Sequence, residues 1–284
     1  MKVGIIAYPD KGRTRETLDE LRRELASRQV EVLLEQRLAG ELGEPDGWPA
    51  KQLASSADVV AVVGGDGTML EAAMMLGPVG IPLAGVNTGR LGFLNSCAGH
   101  EVAALAAALA ERRYTTCRRT MLDIELLESG RPPHRFRALN DVVLARDQTG
   151  RLISLCAKIN GTLLNHYRAD GLIVSTPTGS TAYSLSAGGP LVAPTAAVFV
   201  ITPICPHTLS HRSMVIEDSS VIDLEPEDPD DTPVIFTVDG RQCLALTRGA
   251  RVVVRKADRE LHLLRFEDHS FYEALRSKLN WRGG

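Results

Sequence analysis

A glycine-rich segment with one carboxylate is the first place in this sequence that could do chemistry. The segment 64–68, of sequence GGDGT, follows the apolar run 59–63 and leads into a helical pattern over 68–76. Glycines at a strand-to-helix junction expose backbone N–H groups, and the helix N-terminus adds partial positive charge, so phosphate can bind there. Asp66 would repel phosphates unless it faces a metal ion or a hydroxyl whose proton it can take. The segment therefore predicts phosphoryl transfer, and a tight Asp-Gly turn without a ligand is the alternative.

A second segment, 176–189, is rich in small hydroxyl residues and glycine and follows Arg168 and Asp170. Such groups suit a nucleoside, because the ring of Tyr183 can lie against a base while Asp170 accepts hydrogen bonds from ribose or amide donors. A solvated Ser/Thr loop is the alternative. Between the two segments, Asn140-Asp141 places an amide beside a carboxylate in front of an apolar strand.

The elements around the first segment predict an open α/β domain with a largely parallel sheet. The run 59–63 shows no polar alternation, which indicates a strand covered on both faces. Short apolar runs alternate here with helical patterns, and the segment 64–68 lies at one of these junctions. The predicted strands are 3–8, 30–34, 59–63 and 81–86, and the predicted helices are 14–29, 68–76 and 100–112.

After about residue 113–120 the sequence changes to short alternating segments separated by Pro, Gly and Asp, which predicts a β-rich, sandwich-like second domain. The run 261–266 is included in it. A last helix is predicted over 270–280, where Phe271, Leu275 and Leu279 share one face. The predicted division is an α/β domain over 1–116, a β-rich domain over 117–264, and a C-terminal segment over 265–284.

Composition excludes several classes of protein. Of 284 residues, 32 are basic and 35 acidic, so the net charge of −3 does not favour a dedicated nucleic-acid binder. No apolar run approaches the roughly 18–20 residues of a membrane span, so no membrane association and a cytoplasmic location are predicted. The five cysteines are spread singly, without a C-x-x-C pair or a His at a zinc-ligand spacing, and are interpreted as core thiols.

Taken together, these segments closely resemble the NAD kinase family. The resemblance covers 64–68, 87–94 (NTGRLGFL), Asn140-Asp141, 176–190 and 202–209 (TPICPHTL). The GGDGT element alone is weakly specific, because diacylglycerol and sphingosine kinases carry it, whereas the ordered set is highly specific.

The resemblance implies an N-terminal α/β domain, a C-terminal β-sandwich domain and a C-terminal segment that returns to the first domain. It also implies transfer of the terminal phosphoryl group of ATP, or of inorganic polyphosphate, to the 2′-hydroxyl of the adenosine ribose of NAD, which gives NADP. A divalent metal ion, Mg²⁺ foremost, is the implied cofactor, and a homo-oligomer (dimer or tetramer) is the implied assembly. No metal ligand set is assigned, although Asp66 is a candidate, since Mg²⁺ leans on substrate phosphates and one or two carboxylates.

The same resemblance assigns roles to individual residues. Asp66 is implied to be the proton acceptor, in a phosphate loop that includes Gly64, Gly65 and Thr68. The residues implied to contact the ribose or hold the dinucleotide are Gly67, Asn140, Asp141, Arg151, Arg168, Asp170, Thr181, Ala182, Tyr183, Ser184, Leu185, Ser186 and Gln242.

Two positions depart from the family pattern. The family commonly has Asn-Glu where this chain has Asn140-Asp141, so the carboxylate is on a shorter arm. The segment 239–242 (DGRQ) has one residue more than the usual D-G-Q or D-S-Q, which weakens the transfer to Gln242.

Two other functions share some of these features. A lipid kinase has the same phosphate loop, but the low aromatic content and the Ser/Thr-rich second segment favour a nucleotide acceptor. A non-catalytic NAD(P)(H) sensor on this scaffold would bind without turnover, and it would tolerate Asn in place of Asp66.

Overall fold

The structure is a computed structural model, and it describes residues 1–8, 12–89, 92–147, 150–208, 210–227, 232–247, 249–265 and 271–280. It divides into two units, of which the first comprises Met1–Arg119 with Arg259–Gly284 and the second Thr120–Asp258. No helix in the described ranges is both long and apolar enough to cross a membrane.

The first unit alternates strands and helices from its N-terminus. Short 3₁₀ turns at Gly77–Val79 and Gly99–Glu101 interrupt the pattern. The elements are β1 (Lys2–Ala7), α1 (Gly12–Ser27), β2 (Glu31–Leu34), α2 (Gln36–Leu42), α3 (Ala50–Ser56), β3 (Val59–Val63), α4 (Asp66–Leu76), β4 (Leu83–Asn87), β5 (Cys97–Ala98), α5 (Val102–Ala110) and β6 (Thr115–Arg119).

The second unit is almost entirely β-structure, with a 3₁₀ turn at Gly179–Thr181 leading into one short helix. Its elements are β7 (Leu122–Leu127), β8 (His134–Ala138), β9 (Asp141–Arg146), β10 (Ile153–Ile159), β11 (Thr162–Ala169), β12 (Gly171–Ser175), α6 (Tyr183–Ser186), β13 (Val198–Ile204), β14 (Met214–Glu217), β15 (Ile222–Pro226), β16 (Val234–Val238), β17 (Arg241–Leu246) and β18 (Arg251–Lys256).

The chain then returns to the first unit with β19 (Leu261–Arg265) and α7 (Phe271–Lys278). The sheet of this unit has the order β2-β1-β3-β4-β19-β6, and β5 pairs with β4. All its pairings are parallel except that of β19 with β6. Every residue of β3 is buried, as its unbroken apolar run predicts.

Two six-stranded antiparallel sheets form the second unit, in the orders β11-β10-β15-β18-β7-β8 and β14-β13-β12-β9-β16-β17. Side chains from both sheets share one apolar core, which includes Leu155 and Val252 from one sheet and Leu172 and Phe236 from the other. A layered sandwich follows, so the predicted fold class, an α/β domain with a sandwich-like β domain, is confirmed.

The structure and the sequence analysis differ in several elements. The run 261–266 was predicted in the second domain, whereas β19 pairs with β4 and β6 of the first sheet, and the units divide after Arg119 and Asp258 instead of after 116 and 264. Apolar alternation indicates a strand but not the sheet to which it belongs. Helices α2 and α3 were missed, because seven residues are too few to establish a helical period.

Candidate functional site

The turn from β3 into α4 leaves its backbone open to a ligand. The N–H of Gly64 donates to the carbonyl of Val86 at 2.9 Å, and a Cβ on Gly64 would lie 2.4 Å from the Thr68 hydroxyl oxygen. Position 64 therefore admits only glycine. Gly65 and Gly67 are exposed, and a Cβ on either would meet no described atom within 4 Å. The N–H groups at the start of an α-helix form the kind of site that binds phosphate, and neither Gly65 nor Gly67 places a side chain in front of them.

Asp66, the first residue of α4, is held by the loop that follows β4. Its Oδ2 accepts from the backbone N–H of Phe93 at 3.3 Å, and its Oδ1 accepts from the N–H of Leu94 at 3.4 Å and from Asn95 Nδ2 at 3.1 Å. Gly92 makes this approach feasible, because a Cβ there would lie 1.8 Å from Asp66 Oδ1. These donors orient the carboxylate from the side of the loop, and the Asp66 side chain remains 33% exposed.

A lysine from the last helix also contacts this carboxylate. Lys278 Nζ donates to Asp66 Oδ2 at 3.1 Å and lies 4.5 Å above the ring of Phe93. The ring of Phe93 in turn packs against Phe271 at a centroid distance of 6.0 Å, which fixes α7 over the loop. Sequence reasoning missed Lys278 and Asn95 as parts of this site and named Phe93 only within the segment 87–94, because the fold decides which residues contact Asp66.

In the second unit, Asp239 holds Asn140 and Asp141 in place. Its carboxylate accepts from the backbone N–H groups of Leu139 at 2.9 Å, Asn140 at 2.8 Å and Asp141 at 3.1 Å. Asp239 is in the left-handed region (φ 49°) and precedes Gly240 (φ 73°) in the turn between β16 and β17. Sequence reasoning used this Asp-Gly pair only as a neighbour of Gln242, although Asp-Gly after an apolar strand is a recognisable turn signal.

The buried Asp141 and the half-buried Asp239 form an acidic pair. Asp141 is 3% exposed. Burial and, secondarily, the charge of Asp239 raise the pKa of Asp141 to about 7. Burial also raises the pKa of Asp239, but its three backbone donors favour the ionised form. Burial therefore favours the protonated form of Asp141, whereas the backbone donors offset part of the same effect at Asp239. A carboxyl with such a pKa is a frequent mark of a functional site.

Several hydroxyl groups of the hydroxyl-rich segment form hydrogen bonds within the second unit. The Thr176 hydroxyl donates to the carbonyl of Leu139 at 2.6 Å, and the Ser180 hydroxyl donates to the carbonyl of Pro177 at 2.7 Å. Ser184 is buried, with its hydroxyl 2.9 Å from that of Thr202.

Gly179 brings the segment against β9, because a Cβ there would lie 2.0 Å from the carbonyl oxygen of Asn140. Two side chains of the segment face outward, Tyr183 (46% exposed) and Ser186. Three more are half-buried, namely Thr181, Ala182 and Leu185. These five are available to a ligand, whereas the buried Ser184 is not.

The charged candidates of the second unit have different surroundings. Asp170 forms an ion pair with Arg146, with Nε and Oδ1 2.6 Å apart. Arg146 was missed because it ends β9, whereas Asp170 lies between β11 and β12, 24 residues further along the chain. Arg151 and Arg168 are exposed. Gln242 lies in β17, but its side chain is outside the described part of the structure.

Two family models match this chain. The ATP-NAD kinase N-terminal domain matches residues 3–114, and the ATP-NAD kinase C-terminal domain matches residues 139–266. Among similar proteins, NAD kinase from Moorella thermoacetica is 39% identical over 282 residues, which covers 99% of this chain and 90% of that protein. NAD kinase from Thermoanaerobacter sp. (strain X514) is 36% identical over 282 residues and covers 99% of both chains.

Solved structures are similar over the whole chain. The crystal structure of yeast NADH kinase complexed with NADH matches with a TM-score of 0.91 at 27% identity, covering 100% of this chain and 89% of that one. The crystal structure of an NAD kinase from Archaeoglobus fulgidus in complex with ATP matches with a TM-score of 0.76 at 24% identity and covers 100% of both chains, which supports the fold alone.

Proposed function

The chain belongs to the NAD kinase family, and from this membership we propose that it transfers the terminal phosphoryl group of ATP to the 2′-hydroxyl of the adenosine ribose of NAD, which gives NADP. The observation that carries the proposal is the carboxylate of Asp66. It stands at the glycine-rich N-terminus of α4, and it is oriented there by two backbone N–H groups, an amide and an ammonium.

In this proposal Asp66 orients the ribose hydroxyl and receives its proton. Phosphoryl transfer has a loose transition state, so positioning and charge neutralisation contribute more than strong basicity. A carboxylate is a weak base for an alcohol, and the proton therefore moves late, as the bond to phosphorus forms. The donors from Asn95 and the loop hold the carboxylate at a fixed place while this happens.

Lys278 offsets the repulsion that we expect between the Asp66 carboxylate and nearby phosphates. Its ammonium group lies 3.1 Å from Asp66 Oδ2 and offsets a negative charge that would otherwise repel ATP. The same group remains 32% exposed, so it is accessible to an incoming phosphate as well.

The second unit supplies the dinucleotide contacts in this proposal. Asn140 and Asp141, anchored by Asp239, present hydrogen-bonding groups, and the Arg146–Asp170 pair fixes a further carboxylate. Tyr183 exposes a ring on which a base can stack. The other proposed contacts are Arg151, Arg168, Thr181, Ala182, Leu185, Ser186 and Gln242 of this unit and Gly67 of the first unit. The buried Ser184 instead holds the segment through its hydroxyl contact with Thr202.

The residues around Asp66 do not fit a magnesium ion held by the protein. Both carboxylate oxygens already accept hydrogen bonds, and one of the donors is the cationic Lys278. Mg²⁺ instead enters as part of the substrate, bound to the phosphates of ATP, which is its usual mode in kinases.

The remaining expectations from the sequence stay predictions. They are the use of polyphosphate as an alternative donor, assembly into a dimer or tetramer, a cytoplasmic location, and the absence of nucleic-acid and membrane partners. The sensor and the lipid kinase are the competing functions, and the experiment below separates them from the proposal.

The test is a coupled assay on the purified chain with NAD, Mg²⁺ and either ATP or polyphosphate. NADP is detected with a dehydrogenase that accepts NADP but not NAD. Wild type should form NADP, and Asp66→Asn should lose about 10²–10⁴-fold in kcat while its Kd for NAD stays unchanged. Asp46→Asn, an isosteric change at an exposed position of the same unit, is the matched control and should keep full activity.

Two results would overturn the proposal. Wild-type chain that binds NAD without forming NADP would favour the sensor. Asp66→Asn that loses NAD affinity in proportion to turnover would remove the catalytic role of Asp66, because the carboxylate would then act in binding.

A further inference from the structure

Three metal-ligating side chains meet near one edge of the second unit, in the sheet that contains β10, β11 and β15. Cys156 on β10 lies directly opposite His166 on β11 and opposite Glu225 on β15. Glu227, just after β15, donates its backbone N–H to the carbonyl of Ser154 at 2.9 Å, which holds it beside β10. One ligand atom from each of Cys156, His166 and Glu227 lies within 4.8 Å of the other two.

The thiol of Cys156 belongs to the outer face of this sheet. Its neighbours Leu155 and Ala157 point into the shared core, and side chains alternate along a strand, so Cys156 points away from the core. It is nevertheless only 7% exposed. His166 and Glu227 are themselves 57% and 35% exposed, so the cluster consists of a covered sulfur and two side chains open to water.

Two carboxylates, Glu225 and Glu227, and the ammonium group of Lys158 lie near the thiol of Cys156. Lys158 is engaged with Glu225 at 3.2 Å, and Arg251 lies 3.6 Å from the same carboxylate. Glu227 instead faces His166, with Oε1 2.6 Å from the ring Nδ1.

We propose that Cys156, His166 and Glu227 bind a divalent transition-metal ion of the zinc class, with water at the fourth position. Thiolate, imidazole and carboxylate are the zinc ligands of proteins, whereas Mg²⁺ and Ca²⁺ select oxygen donors alone. On binding, the thiol releases its proton to solvent, each of the three side chains donates one lone pair, and no electron is transferred.

The geometry requires small movements only. Bond lengths of about 2.0–2.3 Å in a tetrahedral site separate the donor atoms by roughly 3.3–3.8 Å. The donor pairs lie within 4.8 Å, and the His166–Glu227 hydrogen bond must open by less than about 1.5 Å. The side chains of His166 and Glu227 are exposed enough to adjust, and the strand register already places His166 opposite Cys156.

The alternative to a metal site is an ordinary His166–Glu227 hydrogen bond beside an unreactive thiol. That pair on a protein surface contributes little stability, and a covered thiol is normally unreactive. The two interpretations differ in one measurable property, which is whether a metal ion binds through the Cys156 sulfur. The proposal does not depend on kinase activity, so its failure and that of the proposed function are distinguishable.

The experiment uses the full chain without a histidine tag, freed of metal with a chelator and then exchanged into clean buffer. Co²⁺ is added stepwise while the absorption spectrum is recorded, and Zn²⁺ is then added as a competitor. One Co²⁺ per chain should bind with a thiolate-to-cobalt charge-transfer band, and Zn²⁺ should abolish the band. Cys156→Ser should lose the band, and His166→Gln and Glu227→Gln should each weaken Co²⁺ affinity about 10-fold or more.

Cys205→Ser is the matched control, because Cys205 is an exposed free cysteine of the same unit. It should leave the band and the affinity unchanged. A band that persists in Cys156→Ser, a band lost in Cys205→Ser, or no binding of Co²⁺ or Zn²⁺ to wild type would each overturn the proposal. If Cys156→Ser has an altered thermal midpoint, the decision passes to His166→Gln and Glu227→Gln, whose side chains lie outside the core.

Discussion

Gly92 can be used to test whether the position of the Asp66 carboxylate determines the rate. In Gly92→Ala the new Cβ would lie 1.8 Å from Asp66 Oδ1, 2.5 Å from its Cγ and 2.6 Å from Asn95 Nδ2. Carbon–oxygen contacts need about 3.4 Å, so the carboxylate must retreat by roughly 1.5 Å and lose its bond to Asn95. No φ between +20° and +160° occurs at Gly92, so steric contact, not backbone strain, is the perturbation.

The expected magnitude follows from this displacement. Moving a catalytic group by about 1 Å costs on the order of 100-fold in rate, which is about 2.7 kcal/mol of transition-state stabilisation. Gly92→Ala should therefore lower kcat about 100-fold. Its Kd for NAD should stay within about twofold, because the proposed dinucleotide contacts other than Gly67 are in the second unit.

The assay is NADP formation at saturating ATP and NAD, together with NAD binding by calorimetry and the thermal midpoint of each variant. Gly89→Ala is the control, since it adds the same methyl group three residues earlier in the chain, where the one described atom within 4 Å of the new Cβ is Asn87 Oδ1 at 3.7 Å. The reasoning fails if Gly92→Ala keeps kcat within threefold of Gly89→Ala, or if the two variants lose activity equally.

Three further predictions rest on other contacts. Lys278→Met keeps the packing on Phe93 but removes the charge, so kcat should fall about 10-fold while NAD affinity stays unchanged. Lys278→Arg restores the charge and should recover part of the lost kcat in the same assay. Burial holds the pKa of Asp141 at about 7 against an ordinary 3.8, so the folded state binds this proton more tightly and unfolding free energy falls as pH rises between these values. Asp141→Asn should flatten that dependence and gain several kcal/mol over wild type at pH 8 but little at pH 4, in urea unfolding. Gly179→Ala places a Cβ 2.0 Å from the carbonyl of Asn140 and should lower the thermal midpoint, whereas an unchanged midpoint would contradict the close approach.

Much of the fold follows from local patterns in the sequence. The unbroken apolar run of β3 predicted a strand buried on both faces, and the glycines after it predicted the turn at which α4 begins. These features are local, because side-chain periodicity and glycine content act over a few residues. The same reasoning could not place β19, since a short alternating run fits any sheet that offers a free edge.

The hydroxyl-rich segment shows where composition is ambiguous. Its Ser and Thr residues were predicted to face a nucleoside, yet Thr176, Ser180 and Ser184 bond within the unit. A hydroxyl serves a ligand or its own backbone equally well, and only burial decides between them.

The sequence by itself determined the two fold classes, the glycine-rich turn that contains Asp66, and the segments that carry the family resemblance. The tertiary structure alone decided which partners these residues have. Lys278 reaches Asp66 across 212 positions, Asp239 reaches Asn140 across 99, and Cys156 meets Glu227 through the pairing of neighbouring strands. The reason is physical, since conformational preference is set by near neighbours along the chain, while electrostatic and hydrogen-bonding partners are set by distance in space.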